Sequence, residues 1–161
     1  MDSDAKKSAG RPKSEQSHQA MLQAALALLA EVGFEAISMD AVAARARVGK
    51  TTIYRRYASK AELVADAIES MRTEIAIPDT GSFVGDLEAL IQQAAEMTLS
   101  PLGRQAVAMI ISSALSNSQF AEIYWTKYLL PRRQNFAIVV ERAKARDELS
   151  LIHISEPTRR R

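Results

Sequence analysis

Cysteine is absent from this 161-residue chain, which removes disulfides, thiol catalysis and thiolate zinc sites together. Long apolar runs are missing too. The longest apolar-rich stretch, Ala20 to Ala30, is interrupted by Gln23 and is too short to span a bilayer. The opening MDSDAKKSAGRPK has no apolar core of the signal-peptide kind. The expectation is a cytoplasmic protein that does not engage a membrane. No Ser–His–acid or paired-carboxylate arrangement stands out from the scattered surface charges, so no catalytic residue, metal ligand or cofactor is expected. No stretch shows sustained strand alternation, and the expected fold class is all-α.

Apolar residues make up 47% of the chain, ample for the core of one domain or two small ones. Formal charge is only +2, but it is unevenly placed. Residues 1–60 carry ten Lys/Arg against six Asp/Glu, a basic third on a near-neutral body. That suits a nucleic-acid-binding module joined to something with another task.

Residues 1–13 are polar, contain Gly10 and Pro12, and read as a disordered basic arm. A first helix is predicted from about Glu15 to Val32, with Met21, Leu22, Ala25, Leu28, Leu29 and Val32 at helical spacing and Gly33 placed to end it. Ser38 is a good N-cap for a helix over 39–46, in which Met39, Val42 and Ala43 face inward. A turn over 47–49 and a short helix over 50–57 follow. Ser59-Lys60-Ala61-Glu62 is a capping box that starts a fourth helix reaching about Ala76. Ile77-Pro78-Asp79-Thr80-Gly81 marks a boundary. Beyond it, helices are expected at 83–99, 102–116 and 119–147, the last broken or kinked at Pro131. The domains are then the arm 1–13, a helix-turn-helix unit 14–60, a connecting helix 61–77 and a helical domain 78–148.

Residues 38–63, SMDAVAARARVGKTTIYRRYASKAEL, have the layout of a helix-turn-helix that reads duplex DNA. A recognition helix presents short polar side chains at its N-terminal end, where it enters the major groove. Lys50, Thr51 and Thr52 suit base contact there, with Tyr54 and Arg55 one turn further along. Ile53 points the other way, toward Val42 and Val48. Ser38, Tyr57 and Lys60 are candidates for phosphate, with Arg56 beside the last two. Arg11 and Lys13, in a short basic arm, suit the adjacent minor groove. Each residue taken singly also has a structural reading: Thr51 and Thr52 as helix-start residues, Tyr54 and Tyr57 as packing, the arm as a solubilising tail. The joint pattern favours DNA.

Residues 15–66 resemble the DNA-binding domain of the tetracycline-repressor (TetR/AcrR) family of transcriptional regulators. The resemblance rests on Ala24, Gly33-Phe34, Ser38-Met39, Val42-Ala43, the run Val48 to Tyr57, and Ser59-Lys60-Ala61-Glu62-Leu63. It implies DNA contacts at Ser38, Lys50, Thr51, Thr52, Tyr54, Tyr57 and Lys60. Many relatives carry glycine where this chain has Arg47. A left-handed turn there costs an Arg about 1 kcal/mol, and Arg47 is also a candidate phosphate contact. The resemblance further implies a homodimer on a palindromic operator, and a second helical domain that binds a small-molecule effector and shifts the fourth helix. Met97, Met109, Phe120, Tyr124, Trp125 and Tyr128 are the candidate effector-pocket residues, with Phe136 nearby; helical Met and aromatic residues are equally core.

Two further motifs carry less. Gly49-Lys50-Thr51 resembles the end of a phosphate loop, but Ala44 stands where that motif needs glycine. Glu15-Gln16-Ser17-His18 has di-iron spacing, yet a working site needs a second copy and further carboxylates. The alternatives to a DNA-binding repressor are therefore a helical protein-binding adaptor and a helical-bundle enzyme. Finally, LSLIHISEPTR at 149–159 resembles the translation of a sequencing-library adapter. The expectation is that 149–161 is a non-native tail, and that 78–148 lacks the last two helices which, by resemblance, build the dimer interface.

Overall fold

A computed structural model describes residues 10–72 and 76–149, with side chains from residue 14. The first helix, α1, spans Gly10–Ala36. It starts five residues earlier than the sequence suggests, so the backbone of 10–13, assigned above to a disordered arm, is helical. Gly33 interrupts α1 with φ 75° and ψ 172°, a left-handed conformation that an L side chain adopts only at a cost. The pattern read through Val32 stops being a core face at this kink: Val32 is 50% exposed.

Three short helices follow: α2 (Met39–Arg45), α3 (Lys50–Arg56) and α4 (Lys60–Glu69). Ser38 caps α2 by accepting from the Ala41 N–H at 3.1 Å. Half of the capping box before α4 forms, Ser59 Oγ accepting from the Glu62 N–H at 3.2 Å, while Glu62 Oε2 reaches one residue further back and accepts from the Ala58 N–H at 3.1 Å. α4 ends at Glu69, short of the expected Ala76.

After Pro78 and Gly81 come α5 (Phe83–Leu99) and α6 (Pro101–Ser116), then α7 (Ser118–Tyr124) and α8 (Leu130–Ala145). Ser82, Ser100 and Asn117 supply the N-caps of α5, α6 and α7. Between α7 and α8 the chain makes a π-helical turn, Trp125–Leu129, closed by the Leu130 N–H on the Trp125 carbonyl. Pro131 follows at once, in the first turn of α8. The widened turn precedes a residue with no N–H to donate, so the expected break becomes a π-bulge in a nearly continuous rod.

α4 is the centre of the molecule. Ala61, Leu63, Val64, Ala65, Ala67 and Ile68 are all buried, against α1 on one side and α6 and α7 on the other. One core therefore runs from Met21, Val42 and Ile53 through α4 to Ala106, Phe120 and Tyr124. An aromatic ladder follows it: Phe34 meets Phe120 edge-on at 5.6 Å, Phe120 stacks on Tyr124 at 5.7 Å, and Tyr124 lies 5.4 Å from Tyr128. α6 approaches α5 so closely at Gly103 that a Cβ there would sit 1.8 Å from the Met97 carbonyl oxygen.

Candidate functional site

Ile53 pins α3 to the core with no exposed surface. Lys50, Thr51, Tyr54 and Arg55, which share the opposite face by helical spacing, are all exposed, and Thr52 is half-buried. Asp40, on α2, organises two of them. Its carboxylate accepts from Lys50 Nζ at 2.6 Å and from Tyr54 Oη at 3.2 Å. The same contacts hold the Asp40 carboxyl below its usual range, the Lys50 hydrogen bond being the largest cause. A cavity of about 500 Å³ separates this face from α1, bordered by Ser14, Ser17 and Met21 on one side and Thr52, Arg55 and Arg56 on the other.

Ser38 and Arg47 are exposed on this module. Arg47 adopts φ 54°, the left-handed turn inferred from its place ahead of Val48. Tyr57 and Lys60, expected at the phosphate backbone, have partners within the module. Tyr57 is buried, its hydroxyl 2.9 Å from His18 Nε2, and burial pushes its phenol up to about 12. Lys60 donates to the carbonyls of Phe34, Glu35 and Ile37 at 2.9, 3.0 and 3.3 Å. An ammonium group there satisfies the orphan carbonyls at the end of α1 and suits the negative end of its dipole. The side chains of Arg11 and Lys13 lie outside the described residues, as do 150–161 of the suspect tail.

The second site lies behind α4. Glu69, Leu90, Ala94, Tyr128, Arg132 and Phe136 help border a cavity of about 640 Å³ between α4, α5 and α8. A smaller one of about 330 Å³ opens between α5 and α6, against Met71, Met97, Leu102 and Ala106. Arg72 borders both. Of the pocket residues read from sequence, Tyr128 faces the larger cavity and Met97 the smaller. Phe120 and Tyr124 are core, Met109 packs against the core, and Trp125 is 57% exposed.

The polar stripe of α4 ties these elements together. Asp66 accepts from Lys127 Nζ at 2.6 Å and from the Tyr128 hydroxyl. Glu69 accepts from the Tyr124 hydroxyl at 3.1 Å and is paired with Arg132. Burial, then the Asp66 carboxylate, pushes the Tyr128 phenol far up. None of these long-range pairs is visible in the local sequence pattern. Glu15 does approach His18, at 3.9 Å, but among the described residues no cluster of three His, Cys, Asp or Glu side chains is arranged to hold a metal ion.

Comparison with known proteins matches residues 21–67 to the family model "Bacterial regulatory proteins, tetR family" and residues 77–153 to "Tetracyclin repressor-like, C-terminal domain". The HTH-type transcriptional regulator YdeS of Bacillus subtilis is 36% identical, over 87% of this chain and 71% of its own. The DNA-binding transcriptional repressor TetR of Mycobacteroides abscessus is 39% identical over 56% of this chain and 44% of its own. The crystal structure of the TetR family transcription regulator SCO0332 superposes with a TM-score of 0.58 at 26% identity, over 85% of this chain and 76% of that one.

Proposed function

Since this chain belongs to the tetracycline-repressor family of DNA-binding transcriptional regulators, we propose that it is a repressor that leaves a palindromic operator when a small effector occupies the cavity behind α4. The exposed outer face of α3, set on a fully buried Ile53, carries this reading. Thr51 and Thr52 read base edges with Lys50, while Tyr54 and Arg55 line the groove wall. Ser38 and Arg47 hold phosphate, and Arg11 and Lys13 reach the minor groove. Membership of a regulator family sets aside the adaptor and enzyme alternatives.

Two copies are required, because the half-sites of a palindrome sit at a fixed helical spacing. Val84, Ile91, Leu99, Leu102, Ile111 and Leu115 are exposed on α5 and α6, Leu115 by 84%. That apolar surface gives a second copy something to cover. Among the described residues no helix is long and apolar enough to cross a membrane, and we place the protein with its DNA in the cytoplasm.

The aromatic ladder and the α4 stripe support the release step. A change at Arg132 or Tyr128 reaches α4 directly, and only three residues separate α4 from α3. The test is duplex selection from random DNA, followed by fluorescence anisotropy with wild type and Thr51→Ala. The expected result is a palindromic consensus whose preference at one position falls by roughly 1–3 kcal/mol in the variant. Equal loss on selected and random duplexes would overturn the assignment of Thr51 to base readout.

A further inference from the structure

The wall of the larger cavity carries three cations, Arg72, Lys127 and Arg132, against the single anion Glu69. Lys127 is spent on Asp66 and one edge of Arg132 is spent on Glu69. What remains is specific. Nε of Arg72 and Nη1 of Arg132 are both buried with no hydrogen-bond partner among the described residues. Each guanidinium is only partly buried and otherwise engaged, Arg72 on Met97 Sδ at 3.8 Å and Arg132 on Glu69, so each keeps one N–H in want of an acceptor. The rest of the wall is largely apolar, with Leu90, Ala94, Pro131 and Phe136.

We infer that this cavity takes a small amphipathic carboxylate, its anionic head on Arg72 and Arg132 and its apolar body against Leu90, Ala94 and Phe136. A carboxylate offers two oxygens in one plane, one to each guanidinium. A phosphate would bring further oxygens that the apolar wall leaves unpaired. Glu69 already shows that Arg132 accepts a carboxylate here. The head group then lies beside Glu69, the last residue of α4, which holds the other edge of Arg132, and the like charge loosens the hold of α8 on α4. The role of this carboxylate as effector rests on the repressor reading above; its binding does not.

The test is calorimetric titration of the full chain without DNA, using benzoate, naphthoate and decanoate, each beside its neutral amide. At least one acid binds, and its amide binds roughly tenfold more weakly or worse. Arg72→Gln and Arg132→Gln each lower the acid's affinity by a similar factor, while Glu69→Gln raises it by removing a like charge beside the head group. Arg132→Lys keeps the charge but not the fork, and serves if Arg132→Gln fails to fold; it too weakens the acid. Acid and amide binding equally, or no acid binding at all, overturns the inference. An acid that binds without shifting duplex affinity upholds the site and removes the effector-release reading. An uncharged ligand that enters this cavity and releases DNA, where the acids do not, upholds the release reading and removes the carboxylate site.

Discussion

Asp40 holds Lys50: the α2 carboxylate lies 2.6 Å from the ammonium of the first residue of α3. Both side chains remain exposed, so the pair contributes little to stability. Its effect is on the interface. A negative charge sits within the surface proposed to meet phosphates, and it orients Lys50 and Tyr54 together before DNA arrives.

Asp40→Asn is expected to tighten binding to every duplex by roughly twofold to fivefold, from the exposed-pair scale. The salt dependence of the affinity should steepen by about one counterion as the Asp40 charge no longer opposes the phosphates around the groove. Anisotropy across a salt series measures both. Unchanged affinity and slope would mean that the Asp40 charge does not act on the phosphates.

Lys60 gives the opposite expectation. Its ammonium bonds three backbone carbonyls at the end of α1 and sits 4.9 Å from the Phe34 ring centroid. Lys60→Met should lower stability by about 1–3 kcal/mol, the scale for losing charge-assisted bonds at partly buried acceptors. The salt slope of duplex binding should not move. Urea unfolding and the same salt series separate the effects, and a stable variant with a shallower slope would return Lys60 to the DNA.

What could be read in the sequence was local. Ser59 and Glu62 are three residues apart, and the cap of the Glu62 N–H by Ser59 Oγ is a spacing rule. Gly33 marks a left-handed position because no other residue takes one as cheaply, and Ile53 is inward because the face opposite it is polar. What could not be read depends on residues that meet only after folding. The bonds of Lys60 to the end of α1 reach across 26 residues. Tyr57 reads as either a phosphate contact or packing, and its contact with His18 spans 39 residues. The pairing of Glu69 with Arg132 spans 63. Aromatic residues in the second layer could not be divided into core and cavity, since Phe120 and Tyr128 have the same pattern and differ only in what packs beside them.

Arg47 offers a gain. It holds φ 54° while fully on the surface, where glycine would relieve about 1 kcal/mol of backbone strain. Arg47→Gly should therefore raise the urea midpoint with an unchanged m-value. A simultaneous fall of about one in the salt slope would identify Arg47 as a phosphate ligand.

Asp86 ties the start of α5 to the end of α8. It is fully buried at the start of α5 and accepts from the Thr80 N–H at 2.6 Å, the Thr80 hydroxyl at 2.8 Å and Arg146 at 3.1 Å. The Thr80 backbone N–H is the first cause that holds its carboxyl below the usual range. A carboxylate with a depressed folded-state value binds its proton more readily once unfolded. Its stabilising contribution is complete above the unfolded value of about 4 and is lost as pH falls through the lower folded value. Asp86→Asn removes that dependence together with the ion pair that joins α5 to the end of α8. The variant should be less stable than wild type at neutral pH, and the gap should narrow as pH is lowered from about 5 toward 2. Urea unfolding at a series of pH values measures it. A gap that stays constant down to the acid limit would show that the Asp86 charge is not what secures this corner.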